Sequence, residues 1–376
     1  MWRAIYVHGT HAGYGSGGGI VPSTALTATV GLDYTFTRFH GAAASSLAGA
    51  SAAVGGSGEG IPPGMHGVTH VWELGGSSYE KKLLDIPVTM ARLPNNVVFV
   101  TVDLSCPVSS LSFALQACVA LRARCDALLK SASEGRRGAA APAPVASAAG
   151  AAAPMATALT AASVARVRLG WCAKNGVAPE LTFTSKSSAS ASVADLSSGV
   201  RAVPVTSRIY NVHHATPDAV DALLPTLPPH PNEEMIQGTL FPVQIAIIGT
   251  KADALAKYEP TPRKTLVNVL RQVAVYFGAP LLFVNHADRK SLEYLSGLFA
   301  NLCFGKEFKK SAVMDPAKLV YIPAGVDSLE AIALPSPPSP ATLATLTSAW
   351  LATLRGQFPA DGAAEEKASA ERAAHS

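Results

Sequence analysis

The sequence predicts an α/β domain built on a parallel-dominated sheet flanked by helices, and three stretches carry that expectation. Val243 to Asp253 (VQIAIIGTKAD) holds a β-branched apolar run, Ile245 to Ile248, closed by Gly249. Strands buried on both faces of a parallel sheet read this way. Asn96 to Leu104 (NVVFVTVDL) is the strongest apolar run in the chain and is expected at the sheet's centre. The third stretch places a helix between two strands. Leu266, Leu270, Val273 and Phe277 fall at i, i+4, i+7 and i+11, and Glu259-Pro260-Thr261-Pro262 opens the segment. Gly278 stands where a C′ residue should, Pro280 stops the helix, and Leu281 to Val284 is the next strand. Strands alternating with helices call for crossovers and a parallel sheet.

The carboxyl ends of such strands are where open α/β sheets place ligands. Thr250-Lys251-Ala252-Asp253 sits there and has the spacing of the [NT]-K-x-D guanine-reading loop. In that loop the Asp253 carboxylate would accept both hydrogens on the guanine edge, and the Lys251 stem would lie along the base. A charged turn after any strand has the same spacing. Asn285-His286-Ala287-Asp288 ends the following strand, where G domains carry their last base-contacting loop, and a helix with Leu292, Leu295, Phe299 and Leu302 on one face comes next. Strand, base loop, helix, strand, loop, helix is the back half of a Ras-like G domain.

The front half is weaker. Ala4 to Val7 reads as a first strand, followed by GTHAGYGSGGG. A phosphate loop needs G-x-x-x-x-G-K-[ST], so that N–H groups cradle phosphate, a lysine reaches the β/γ oxygens and a hydroxyl holds Mg²⁺. Gly9 fits the first position and Ser16 the last, but Tyr14 replaces the second glycine and Gly15 the lysine. Thr27 or Thr29 precedes the alternating run Gly31 to Phe36 where a switch threonine would stand, although threonine is also a common strand-entry residue. Val68 to Leu74 is a strand, and Glu73-Leu74-Gly75-Gly76 is the nearest equivalent of the D-x-x-G metal loop. Ser77 follows instead of the glutamine that orients an attacking water. The expected site is degenerate: Gly9, Ser16, Thr29, Glu73, Gly76, Lys251 and Asp253. No resident cofactor or metal is expected, and binding of GTP or GDP is expected to be weak or absent.

The remaining composition sets limits. The net charge of +4 is mild and the basic residues are scattered, which reads as a solvated face and not as a nucleic-acid patch. Five cysteines without a CxxC pair or metal spacing read as reduced thiols of a cytosolic protein. Met1-Trp2-Arg3 leads directly into a strand-like segment, with no signal peptide expected. The uncharged tract Ala139 to Ala165 is Ala, Pro, Ser, Thr and Gly with prolines at 142, 144 and 154, so no membrane span is expected. Residues 1–334 form the G-type domain, with disordered insertions near 41–64, 131–163 and 183–200 and a short helical piece at Val164 to Ala173. A proline-rich linker and an amphipathic helix occupy 335–360, with Leu343, Leu346, Trp350 and Leu354 on one face as a candidate partner-binding stripe. Residues 361–376 read as a disordered polar tail.

Several blocks fall in a familiar order: Leu32-Asp33-Tyr34-Thr35-Phe36, His70 to Gly76, Val102-Asp103-Leu104-Ser105, the long run Val243 to Gly305, YIPAGVDSL at 321 to 329, and the Trp350 helix with Phe358-Pro359. Together they resemble the light intermediate chains of cytoplasmic dynein, most closely the type belonging to cytoplasmic dynein 2, the retrograde motor of intraflagellar transport. The resemblance covers roughly half of the chain. It implies a non-catalytic subunit that binds and stabilises the dynein heavy chain, with motor ATPase activity residing in that partner. It also implies association with the dynein complex and the intraflagellar transport machinery, in cytoplasm, cytoskeleton and cilium. Light intermediate chains of the other cytoplasmic dynein carry a long adaptor-binding C-terminal region, for which the residues after 360 leave no room. The competing expectation is an active Ras-like small GTPase switch, against which Gly15 and Ser77 stand. An unrelated P-loop-like enzyme would need a nucleophile–base constellation that the sequence lacks.

Overall fold

The computed structural model describes residues 2–8, 31–40, 66–75, 81–134, 152–177, 220–221, 223–304, 308–335 and 342–374. Seven strands form one sheet in the order β2-β3-β1-β4-β5-β6-β7. They are β1 (Trp2–His8), β2 (Gly31–His40), β3 (His66–Gly75), β4 (Asn96–Asp103), β5 (Gln244–Thr250), β6 (Leu281–Val284) and β7 (Tyr321–Ile322). The inner strands β3, β1, β4, β5 and β6 run parallel, and the edge strands β2 and β7 run antiparallel to their neighbours. The sheet is parallel-dominated, as the apolar runs predict, and its first six strands follow the Ras-like order.

Every residue of β4 and β5 is buried, because the sheet has a layer on each face. Val98, Val100, Val102, Ile245 and Ile247 point into one core layer with α1 (Pro107–Glu134) and α4 (Pro260–Phe277). Val97, Phe99, Ala246 and Ile248 point into the other, where α5 (Arg289–Phe304) packs and Phe99 stacks on Phe299 at 5.6 Å. Between α1 and β5 lie α2 (Ala152–Lys174) and the single turn α3 (Glu233–Ile236). Gly278 ends α4 with φ 57°, the left-handed conformation that the C′ reading requires.

Three sequence expectations are corrected. The stretch 131–163 is not disordered throughout: α1 runs to Glu134 and α2 begins at Ala152, well before Val164. Alanine is the best helix former, and Pro154 falls in the first turn, where its missing N–H breaks no helical bond. This helix is part of the core. Leu159, Ala165, Leu169 and Cys172 are buried, and the Arg168 guanidinium grips Glu233 at 2.6 and 2.7 Å. A Cβ on Gly170 would stand 1.8 Å from the Ala324 carbonyl oxygen, so α2 touches the loop after β7 backbone to backbone.

The tail is the second correction. After α6 (Leu343–Gln357), a further helix α7 spans Pro359–Ala374, and it packs on α1 and α6. Two of its carboxylates, from Asp361 and Glu365, bond to α1, which the sequence does not announce. The candidate partner-binding stripe is the third: of the two surfaces open to it, a partner or the G domain, it takes the second. Leu346, Trp350 and Leu354 are fully buried and Leu343 partly so, against α1 and α4 of the same chain. Trp350 lies against Tyr276 and Phe277, and its Nε1 donates to Gln272 Oε1 at 3.1 Å. The expected insertions near 41–64 and 183–200 lie outside the described residues.

Candidate functional site

The carboxyl ends of β4 and β5 meet in a corner. The register pairs Asp103 with Thr250, and the Leu104 N–H donates to the Thr250 carbonyl at 3.0 Å. Lys251 then turns the chain with φ 54° and ψ 48°, the one non-glycine residue with positive φ among those described. A lysine in that conformation costs about 1–2 kcal/mol, so neighbouring contacts must hold it. Its Nζ lies 2.6 Å from Asp103 Oδ2 and 3.4 Å from Ser105 Oγ. The other Asp103 oxygen accepts from the Ser105 N–H at 2.9 Å and the Ser105 hydroxyl at 2.6 Å. Asp103 is 2% exposed, and a carboxylate that deep persists because both oxygens are occupied by donors.

Asp253 is exposed in the first turn of a 3-10 segment, Ala252–Lys257. On the next strand's loop, Asn285 Oδ1 accepts from the Ala287 N–H at 3.0 Å, and Asp288 accepts from the Lys290 and Ser291 N–H groups at the start of α5. Asp288 therefore caps a helix. The corner's lower wall is Tyr258, whose hydroxyl donates to the Leu104 carbonyl at 2.7 Å. Burial, with the nearby negative charges of Asp361, Cys106 and Asp103, pushes that phenol up to about 12, so it remains a donor.

Glu73 does not sit in a loop. It lies within β3, paired with Tyr6 of β1 and Asp33 of β2, two residues before the strand ends at Gly75. Gly9, Ser16, Thr29 and Gly76 lie outside the described residues, as do Tyr14, Gly15 and Ser77. Among the described residues no group of three or more His, Cys, Asp or Glu side chains could hold a metal ion. No described helix is long and apolar enough to cross a membrane.

The structure thus joins Lys251 with Asp103, a residue the sequence reading quoted but gave no role. The signal was present in Val102-Asp103-Leu104-Ser105, an acid at the end of an apolar strand with a hydroxyl two residues on. That spacing suits a carboxylate turned back onto its own loop.

A Ras-like strand order, with a base-type loop at the carboxyl end of β5, defines a Ras-like α/β domain. The comparisons give a likeness over part of the chain. A model of the dynein light intermediate chain (DLIC) family matches residues 211–335, the stretch that carries β5, α4, β6, α5 and β7. Cytoplasmic dynein 2 light intermediate chain 1 is 39% identical over 111 residues in Rattus norvegicus and in Homo sapiens, covering 30% of this chain and 30% of each relative. In Danio rerio it is 35% identical over 106 residues, covering 28% and 29%. Among solved structures, the crystal structure of the dynein light intermediate chain's conserved domain aligns with a TM-score of 0.49 at 12% identity, over 98% of this chain and 97% of that one. Over residues 211–335 the chain is similar to the dynein light intermediate chain family, and the matched stretch spans about 30% of the length of these curated relatives.

Proposed function

We propose that this chain is the light intermediate chain of a cytoplasmic dynein 2 motor, binding and stabilising the heavy chain for retrograde intraflagellar transport and cilium or flagellum assembly. The observation that carries this reading is the family match over 211–335, reinforced by relatives described as cytoplasmic dynein 2 light intermediate chains. The corner supports a non-enzymatic role. Lys251, which a guanine ring would need along its plane, is drawn onto the buried Asp103 carboxylate, and Glu73 lies in strand rather than loop. The chain works as a scaffold in the cytoplasm, on the cytoskeleton and in the cilium, with no nucleic-acid partner and no resident nucleotide. Affinity capture of the tagged chain from ciliated cells, read by mass spectrometry, tests this directly. Stoichiometric dynein 2 heavy chain is the expected outcome; capture without any dynein heavy chain overturns it. The exposed Asp253 favours a second reading, an active GTPase switch, and near-equimolar guanine nucleotide released from the native protein would move that reading to first place.

A further inference from the structure

The junction between α6 and α7 reaches the base-type corner by two separate routes. In the first, Phe358 sets its ring edge-on to Tyr258, with centroids 4.9 Å apart, and Tyr258 donates to the Leu104 carbonyl. In the second, the Asp361 carboxylate sits on the first turn of α1. Its Oδ2 accepts from the Val108 N–H at 2.7 Å, and its Oδ1 accepts from the Ser109 hydroxyl at 2.5 Å. The next residue, Ser110, accepts from the Asp103 N–H at 2.7 Å through its Oγ. One route therefore ends on Leu104 and the other on Asp103, the two residues that connect β4 to the Lys251 turn.

A carboxylate on the N-terminal N–H groups of a 28-residue helix satisfies donors that have no partner within the helix and faces the positive end of its dipole. Here the carboxylate comes from more than 250 positions along the chain. Distant capping of this kind fixes where α1 starts, and the start of α1 fixes Asp103.

We propose that the Phe358–Asp361 junction is a built-in clamp on the base-type corner, ordering the loops 103–107 and 250–258 in the way a bound nucleotide orders them in a working G domain. The inference rests on the reading that this chain carries no resident nucleotide. It makes the C-terminal helices part of the site: whatever pulls on α7 slackens Lys251, and whatever rigidifies the corner holds α7 down.

The test is hydrogen exchange on the full chain, wild type against Asp361→Asn, Phe358→Ala and the double variant, with nucleotide content measured on the same wild-type preparation. Loss of a charge-assisted contact and a ring contact should speed exchange of the 250–258 and 103–110 amides by about tenfold or more in the double variant. Amides of β6 and α5, which neither route touches, serve as the folding control and should keep wild-type rates. The single variants remove one route each and should give intermediate effects if the double variant unfolds. Wild-type protection in both loops, with nucleotide-free protein, overturns the clamp alone. Near-equimolar nucleotide in the wild type overturns the nucleotide-free reading, and with it the clamp's role as a substitute, even if the variants loosen the corner.

Discussion

The two C-terminal helices lie side by side on α1 and are held by different physics. Helix α6 is held by apolar burial: Leu346, Trp350 and Leu354 are fully buried, and the one polar contact at their centre is the Trp350 indole donating to Gln272. Helix α7 presents Asp361, Gly362 and Glu365 inward and has no large apolar side chain on that face. Glu365, 3% exposed, accepts from Ser112 at 2.7 Å and from Arg355 at 2.5 Å. An apolar face is non-directional, survives small shifts and is insensitive to salt. A face of carboxylates works in one geometry only, and what remains exposed at its rim is screened. The comparison teaches that α6 belongs to the core while α7 is an attachment that can let go by itself.

The largest expected effect is on α6. Trp350→Ala should cost about 3–5 kcal/mol, since it deletes a fully buried indole and takes the indole donor from Gln272 Oε1. Chemical denaturation of the whole chain reads this, and a loss under 1 kcal/mol would put α6 on the surface. Arg355→Ala comes next, at about 1–2 kcal/mol after allowance for the exposure of the arginine, because it leaves the buried Glu365 with Ser112 as its neutral partner. That loss should appear as fraying of α7, with protected amides in α6; equal loosening of both helices would erase the distinction between them. Asp361→Asn keeps the shape and removes the charge at the α1 terminus, for about 0.5–1 kcal/mol. Smallest is salt. Moving from low salt to about 0.5 M should raise exchange in α7 a few-fold and leave α6 unmoved.

The same contrast explains what the sequence made legible. Ile245 to Ile248, Val97 to Val102 and the Leu266-Leu270-Val273-Phe277 stripe declare themselves because their apolar period matches the layer they enter. The Trp350 stripe did so as well, and of the two surfaces open to it, a partner or the G domain, it packs on the second. Helix α7 has no such period. Its alanines, glutamates, lysine and arginine are strong helix formers, but what anchors it is a pair of carboxylates whose partners stand on α1, and no local pattern reports a bond of that span. Helix α2 was hidden differently, because alanine tracts broken by proline look unstructured until the backbone contact of Gly170 with Ala324 is seen. Deleting 139–161 would therefore remove the first turns of a packed helix, including the buried Leu159. At the site, Lys251 and Asp253 were legible by spacing, whereas Asp103 becomes a partner of Lys251 only through the β4–β5 register.

The proposed role is to serve a dynein 2 heavy chain as a scaffold whose corner is ordered from within and not by nucleotide. Its most direct test is co-precipitation of heavy chain with nucleotide-stripped protein, with and without added GTP or GDP, alongside Lys251→Ala. Equal recovery of heavy chain in every arm, including the variant, is the predicted result; recovery that appears only with GTP, or is lost with Lys251→Ala while the chain stays folded, would contradict it.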